Sequence, residues 1–261
     1  MNKFLLVPAL ILVGLVWSCG SGGISDEAGD NPEPDPSSAP QSSKFATASS
    51  NALYNPVINP ENFVEGINNP YMTWTPGTTF VYRGVDKDGI HRIETMVTHK
   101  TKKILGVTCI EVLDRDWLQG QLVEATRDWY AQDIFGTVWY FGEATKEYEN
   151  GKVVSTAGSW LAGVNGAQPG IVMLGTPIPG IPYWQEFLSG EAEDMAVVLS
   201  LDESVQVPYG TFEHCLLTGE WTPLEPKVVE NKYYCLPVGQ VTLTLTAAGG
   251  HGREALTDIT H

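Results

Sequence analysis

Glu147-Tyr148-Glu149-Asn150-Gly151-Lys152-Val153-Val154 sets Asn-Gly between two β-prone arms. A two-residue hairpin turn needs positive φ at both central residues, which Asn and Gly tolerate, so this is the strongest short hairpin signal in the chain. The same grammar runs outward from it. Thr79-Phe80-Val81-Tyr82-Arg83 leads through Asp86-Lys87-Asp88-Gly89 into 90–99, a second hairpin with Gly89 where positive φ is needed. Gln240-Val241-Thr242-Leu243-Thr244-Leu245-Thr246 alternates strictly, so one face is apolar and the other polar. Such a sheet is buried on one side, which antiparallel sheets tolerate. From Asn55 onward, turn signals recur roughly every eight to twelve residues with short β-prone runs between them. The expected fold is mainly β: a curved antiparallel sheet or incomplete β-barrel with few short helices.

Helical signal is scarce. The run 191–199 (Glu-Ala-Glu-Asp-Met-Ala-Val-Val-Leu) fits a short helix with acids at its N-terminal end, or equally a strand in its Val-Val-Leu part. Gly163 to Pro182, dense in Gly and Pro, reads as a long ordered loop. Ile104 to Val112 and Val207 to Leu217 each place a turn Gly before a strand carrying a Cys. This echo is either a duplicated sheet unit or convergent strand-entry chemistry.

Composition bounds the function. The chain has 261 residues, with 15 Lys and Arg against 31 Asp and Glu, a formal net charge of -16. Nucleic-acid binding needs a basic stripe, and none exists here. With only 18% charged residues, 27 Gly, 17 Pro and 8 Trp, a coiled coil or helical bundle is excluded as well.

The N-terminus reads as an address. Met1-Asn2-Lys3 is a short positive segment, and the apolar run Phe4 to Val16 is too short for the ~20 residues of a membrane span. Val16-Trp17-Ser18-Cys19 resembles a bacterial lipobox, which implies a signal peptide over 1–18 and lipid on Cys19. Trp17 is bulkier than that motif usually carries; a plain secretory signal cleaved nearby is the alternative. Gly20 is not the Asp that signals inner-membrane retention in enteric bacteria, so an outer-membrane or surface location is favoured. Residues 19–54 follow as a lipidated, Ser/Gly/Pro-rich tether. Five acids (Asp26, Glu27, Asp30, Glu33, Asp35) and no base between 20 and 43 keep it from collapsing into a core. Residues 55–261 form the single expected β-domain. Without Lys3, Lys44 and those five acids, 13 bases and 26 acids remain, a net -13.

Three further cysteines, Cys109, Cys215 and Cys235, are an odd number for an oxidising compartment. Glu213 to Thr218 and Lys232 to Cys235 read as two strands joined through 223–226, a hairpin pairing positions that sum to about 449. Cys215 and Cys235 then lie nearly opposite, which predicts a cross-strand bridge with Cys109 buried and free. The alternative is that all three are small core residues.

Several blocks resemble an uncharacterised family of secreted bacterial proteins. They include Asp128-Trp129-Tyr130-Ala131-Gln132-Asp133, 138–143 (Val-Trp-Tyr-Phe-Gly-Glu), 145–151 (Thr-Lys-Glu-Tyr-Glu-Asn-Gly), 207–212 (Val-Pro-Tyr-Gly-Thr-Phe) and 220–226 (Glu-Trp-Thr-Pro-Leu-Glu-Pro). The resemblance runs over roughly residues 68–250. It implies export and a β-rich fold and assigns no chemistry. Where relatives tend to read Tyr-Tyr-Ala-Pro-Gly-Val-Gly, this chain has Tyr233-Tyr234-Cys235-Leu236-Pro237-Val238-Gly239, and the Cys fits the local bridge.

Chemical motifs are few. There is no Gly-x-Ser-x-Gly elbow, His-Glu-x-x-His, phosphate-cradling loop or EF-hand loop, and no Cys or His spacing suited to zinc or haem. No cofactor and no metal are expected. His91 and His99 lie roughly 26 Å apart along one strand and cannot share a metal without a sharp bend. The densest polar-aromatic stretch is 128–149. Asp128, Asp133 and Glu143 are the candidate catalytic carboxylates of a glycosidase-like hydrolase, and Trp129, Tyr130, Trp139 and Tyr140 the candidate ligand-binding platform. Ordinary cross-strand aromatic pairs around the 133–136 turn explain the same residues. The reading adopted is a non-enzymatic envelope lipoprotein. It is held to the membrane by Cys19 and binds an unidentified small-molecule or protein ligand on an aromatic-lined sheet face. The alternatives are the hydrolase and a surface structural or adhesion lipoprotein.

Overall fold

The computed structural model of the protein describes residues 54–86, 88–247 and 250–261. The signal peptide, Cys19 and the tether up to residue 53 lie outside the described residues. A small hairpin of β1 (Ile67–Asn69) and β2 (Met72–Trp74) precedes the main sheet. The main strands follow in chain order: β3 (Thr79–Val85), β4 (Ile90–Ile104), β5 (Val107–Leu118), β6 (Gln121–Gln132), β7 (Val138–Glu149), β8 (Lys152–Ser155), β9 (Trp160–Leu161) and β10 (Gln168–Met173). After them come β11 (Tyr183–Trp184), β12 (Glu186–Phe187), β13 (Met195–Val207), β14 (Gly210–Trp221), β15 (Val229–Cys235), β16 (Gly239–Ala247) and β17 (Gly250–Thr260). Among the described residues, the one helical element is a single 3-10 turn, Pro60–Asn62.

The strands make one antiparallel sheet in the order β11-β13-β14-β15-β16-β17-β3-β4-β5-β6-β7-β10-β12, with β8 and β9 also on β7. It is not closed into a barrel. Its two end strands, β11 and β12, are separated in the chain by Gln185 alone, so the sheet curls until both ends share one short segment. Gln185 N–H donates to the Asp194 carbonyl at 2.8 Å beside that seam. The ladder between β17 and β3 joins the C-terminal strand to the first strand of the sheet.

The turns follow their sequence chemistry. Asn150 and Gly151 take φ of 51° and 73°, and Glu149 pairs with Lys152 across them. At the β3–β4 turn, Asp86 Oδ1 accepts from the N–H groups of Asp88 and Gly89 at 2.8 and 3.0 Å. Between β14 and β15 the pairs Leu216–Tyr234, Thr218–Lys232 and Glu220–Glu230 fix a register that continues to Cys215 and Cys235. Those two cysteines are disulfide-bonded with Cα atoms 4.3 Å apart, and Cys109 is free and buried. The two halves of the internal echo become β5 and β14, each the second strand of a long hairpin.

One open alternative is decided and one expectation is corrected. The 191–199 run is strand, not helix, from Met195 onward, because β-branched Val197 and Val198 pair with Gly219 and Thr218 inside the sheet. The 163–182 segment is not all loop: it contains β10. A Cβ at Gly170 would lie 2.1 Å from the Gln185 carbonyl oxygen, so the strand needs Gly to lie against the seam.

Candidate functional site

The inner face of the curled sheet is polar to an unusual degree. Asp114 and Asp116 on β5, Glu124 and Asp128 on β6, Glu143 on β7 and Glu186 on β12 belong to one electrostatic field. Asp194, Glu220 on β14, Glu230 on β15 and Glu254 on β17 complete it, and Lys232 answers this acidity from within. Charged groups taken out of water demand partners or shift their protonation.

A β-bulge builds the centre of this field. Tyr140 and Glu143 are three residues apart, which on a regular strand puts them on opposite faces. The register slips between Trp129/Gly142 and Tyr130/Tyr140, at Gly142 with φ 138°. Past the slip, Glu143 is the cross-strand partner of Asp128, and both carboxyls meet the Tyr140 phenol. The Tyr140 oxygen is 2.6 Å from Asp128 Oδ1 and 3.0 Å from Glu143 Oε2. A phenol has one proton, so it donates to one carboxylate while the other carboxyl keeps its own proton and donates back. The electrostatics agree. Burial, then Asp114 and Glu124, push Asp128 well above the usual carboxylate range, although the Tyr140 bond opposes this. Burial, Glu186 and Asp128 do the same to Glu143.

Aromatic rings enclose these carboxyls. Tyr130 stacks on Tyr140 with centroids 4.6 Å apart, while Trp74 and Trp160 meet them edge-on at 4.7 and 5.2 Å. Trp160 Nε1–H donates to Glu186 Oε2 at 2.6 Å. Several buried oxygens have no partner: Glu143 Oε1, Glu186 Oε1, Asp194 Oδ1 and both carboxyl oxygens of Glu254.

The sequence candidates divide accordingly. Asp128, Glu143, Tyr130 and Tyr140 come together on the inner face. Asp133 does not join them: its Oδ1 accepts from the N–H groups of Phe135 and Thr137, and its Oδ2 from Trp139 Nε1–H at 2.9 Å, which holds the β6–β7 turn. Trp139 therefore serves that turn, edge-on to Phe63. Trp129 lies under Lys102, whose Nζ is 3.5 Å from the ring centroid. The four aromatics thus form no single exposed platform: Tyr130 and Tyr140 are each 1% exposed and Trp129 7%. His91 is a buried histidine whose Nδ1 is 2.8 Å from Asp116 Oδ2; its Nε2 lies 3.3 Å from Asp86 Oδ1, within ion-pair range but without a hydrogen bond. Burial works against its charged form, yet Asp116 and Asp86 hold it above its ordinary value.

Sequence reading missed Trp160, Glu186, Asp194, Glu220, Glu230, Lys232 and Glu254. For three of them a signal existed. The register that pairs Cys215 with Cys235 also sets Glu220 opposite Glu230 and Lys232 opposite Thr218. Lys232 Nζ reaches Glu220 Oε2 at 2.7 Å and Glu230 Oε2 at 3.3 Å. Their carboxylates lift the buried ammonium above its ordinary value against the opposing effect of burial.

No family model matches the chain, and no curated protein matches it. Three solved structures resemble it loosely. One is a candidate lipoprotein from Parabacteroides distasonis, 12% identical, with a TM-score of 0.38 over 72% of this chain and 96% of that one. Another is a candidate exported protein with a YmcC-like fold from Bacteroides fragilis, 11% identical, with a TM-score of 0.42 over 72% and 97%. The third is a β-barrel-like protein of a domain of unknown function (DUF1849) from Brucella abortus, 12% identical, with a TM-score of 0.32 over 70% and 96%.

Proposed function

We propose that this chain is a non-enzymatic cell-envelope protein, lipid-anchored through Cys19 at the outer membrane or cell surface. Its β-domain takes a polar ligand on the inner acidic and aromatic face. The observation that carries the binding role is the set of buried, unpartnered oxygens on Glu143, Glu186 and Glu254. Each such group costs about 1–3 kcal/mol if nothing meets it, so a polar guest or ordered water is the natural complement. The rings of Tyr130, Tyr140 and Trp160 supply flat walls beside those oxygens. The net charge of -13 over the folded region opposes close contact with an anionic bilayer. That supports a ligand from the surroundings rather than from the membrane itself.

Native mass spectrometry of protein purified from its own host tests this reading. A co-purified mass that disappears in Glu143→Gln and Tyr140→Phe supports it. A chain without any bound species, unchanged by either substitution, sinks it. One observation favours a second reading. Asp128 and Glu143 converge on one phenol, and a convergent carboxyl pair is what glycosidase-like hydrolysis starts from. Turnover in a glycoside screen that vanishes in Asp128→Asn, with folding intact, would put the hydrolase in place of the binding protein.

A further inference from the structure

At the connection between β14 and β15 the lining of a small cleft includes Asp194, Glu220, Trp221, Thr222, Glu225 and Glu230. Four of its seven lining side chains are acids, and two of these are already answered. Glu220 and Glu230 share the Lys232 ammonium, and Glu220 Oε1 also accepts from the hydroxyls of Thr218 at 2.7 Å and Tyr234 at 3.3 Å. The other two are not answered in this way. Asp194 is 6% exposed and leaves Oδ1 without a partner, and Glu225 stands half-buried on the turn above it. Burial, with Glu220 and Glu225 nearby, pushes Asp194 up to about 7 against the pull of Lys232 and Thr222.

The cleft's chemistry selects the class of guest. Among the described residues, no three His, Cys, Asp or Glu side chains converge as metal ligands. A primary ammonium asks less: it carries one charge and three N–H donors on a compact head. Lys232 shows from inside how this wall holds such a group, between two carboxylates at 2.7 and 3.3 Å. We infer that the cleft binds the primary ammonium end of an organic amine, with the Asp194 and Glu225 carboxylates taking its charge as Glu220 and Glu230 take that of Lys232. This rests on the ligand-binding reading above and names the charged end of the ligand.

The probe is 1,4-diaminobutane, titrated calorimetrically into the full-length protein in detergent at near-physiological salt. Saturable one-site binding is expected, weakened at least about tenfold, or about 1.4 kcal/mol, in Glu225→Gln and in Asp194→Asn. Glu149→Gln removes one exposed acid from the distant β7–β8 turn and leaves binding unchanged. Should Asp194→Asn fail to fold, the half-exposed Glu225→Gln still decides. The inference is overturned by absence of saturable heat, or by equal loss in Glu149→Gln, which would mean bulk charge attraction only. It is also overturned if tetramethylammonium, which has no N–H donor, binds as well as the diamine, or if Ca²⁺ displaces the diamine and binds more tightly through the same residues. A co-purified ligand lost in Glu143→Gln, with no diamine binding, would sink the amine inference and leave the general binding role standing.

Discussion

Asp128 and Glu143 are cross-strand partners that reach the same phenol, Tyr140, at 2.6 and 3.0 Å. Both are buried, at 6% and 3% exposure, and both meet the Tyr140 phenol, with no ion pair to either carboxyl among the described residues. A doubly charged pair is therefore not the native form of this centre: one of the two carboxyls keeps its proton and shares the phenol with the other. Tyr140→Phe removes the shared hydroxyl and leaves two buried carboxyls short of a partner. It is expected to cost about 2–4 kcal/mol in denaturant unfolding. Asp128→Asn, which keeps the shape and a neutral group, should cost less than Tyr140→Phe. Equal costs would place the stabilisation in ring packing instead.

The same chemistry sets the pH profile. Burial with neighbouring acids raises Asp114 from 3.8 to about 7 and Glu124 from 4.5 to about 8, and burial raises Glu230 from 4.5 to about 7 against Lys232. Folded pKa values above the unfolded ones mean that the native state binds more protons than the unfolded state across that interval. Stability is therefore fully present below about pH 4 and is lost as pH rises toward 8. The midpoint of thermal unfolding should fall by on the order of 10 °C between pH 5 and pH 8. Glu124→Gln should flatten the upper part of that slope. A midpoint that rises over the same interval would show that these acids are charged and paired in the native state.

Much of the fold was legible because turn chemistry is local. Asn150-Gly151 and Asp86 to Gly89 name their hairpins without help from distant residues, and one hairpin sum places Cys215 opposite Cys235. The inner site was less legible, for two physical reasons. Buried faces were inferred from apolar alternation, yet here the inner face carries Asp128, Glu143, Glu230 and Lys232, while Trp129 packs on the other side of its strand under Lys102. The bulge at Gly142 also breaks the two-residue period, so Tyr140 and Glu143 cannot be read as neighbours from spacing alone. Glu186 and Asp194 meet the centre only because the sheet curls to bring its seam alongside β7, a relation with no local signature.

The disulfide should add to a register that polar contacts already define. Cys215 and Cys235 close a loop with a sequence separation of 20, for which chain-entropy arguments give about 3 kcal/mol. The double variant Cys215→Ala/Cys235→Ala is expected to lose about that much stability while Lys232 keeps its bonds to Glu220 and Glu230. Unchanged amide protection along β14 and β15 at low denaturant would show the register intact. Loss of that protection would mean the bridge itself aligns the strands.

Two glycines separate the cost of backbone conformation from that of close approach. Gly151 at the β7–β8 turn has φ 73° and open space where a Cβ would sit, so Gly151→Ala should cost about 1–2 kcal/mol from the left-handed conformation alone. Gly142 has φ 138°, and a Cβ there would lie 2.6 Å from the Trp160 carbonyl oxygen and 2.9 Å from Leu161 Cα. Both obstacles are backbone and cannot swing aside. Gly142→Ala must therefore push β9 away from β7 or undo the bulge, and undoing the bulge turns Glu143 or Tyr140 out of the inner face. A loss of more than about 3 kcal/mol is expected. The Trp160 fluorescence environment should change with it, because that ring is held by Glu186 and Tyr140. If Gly142→Ala cost no more than Gly151→Ala and left the tryptophan emission unchanged, the bulge would not be what assembles the acidic centre.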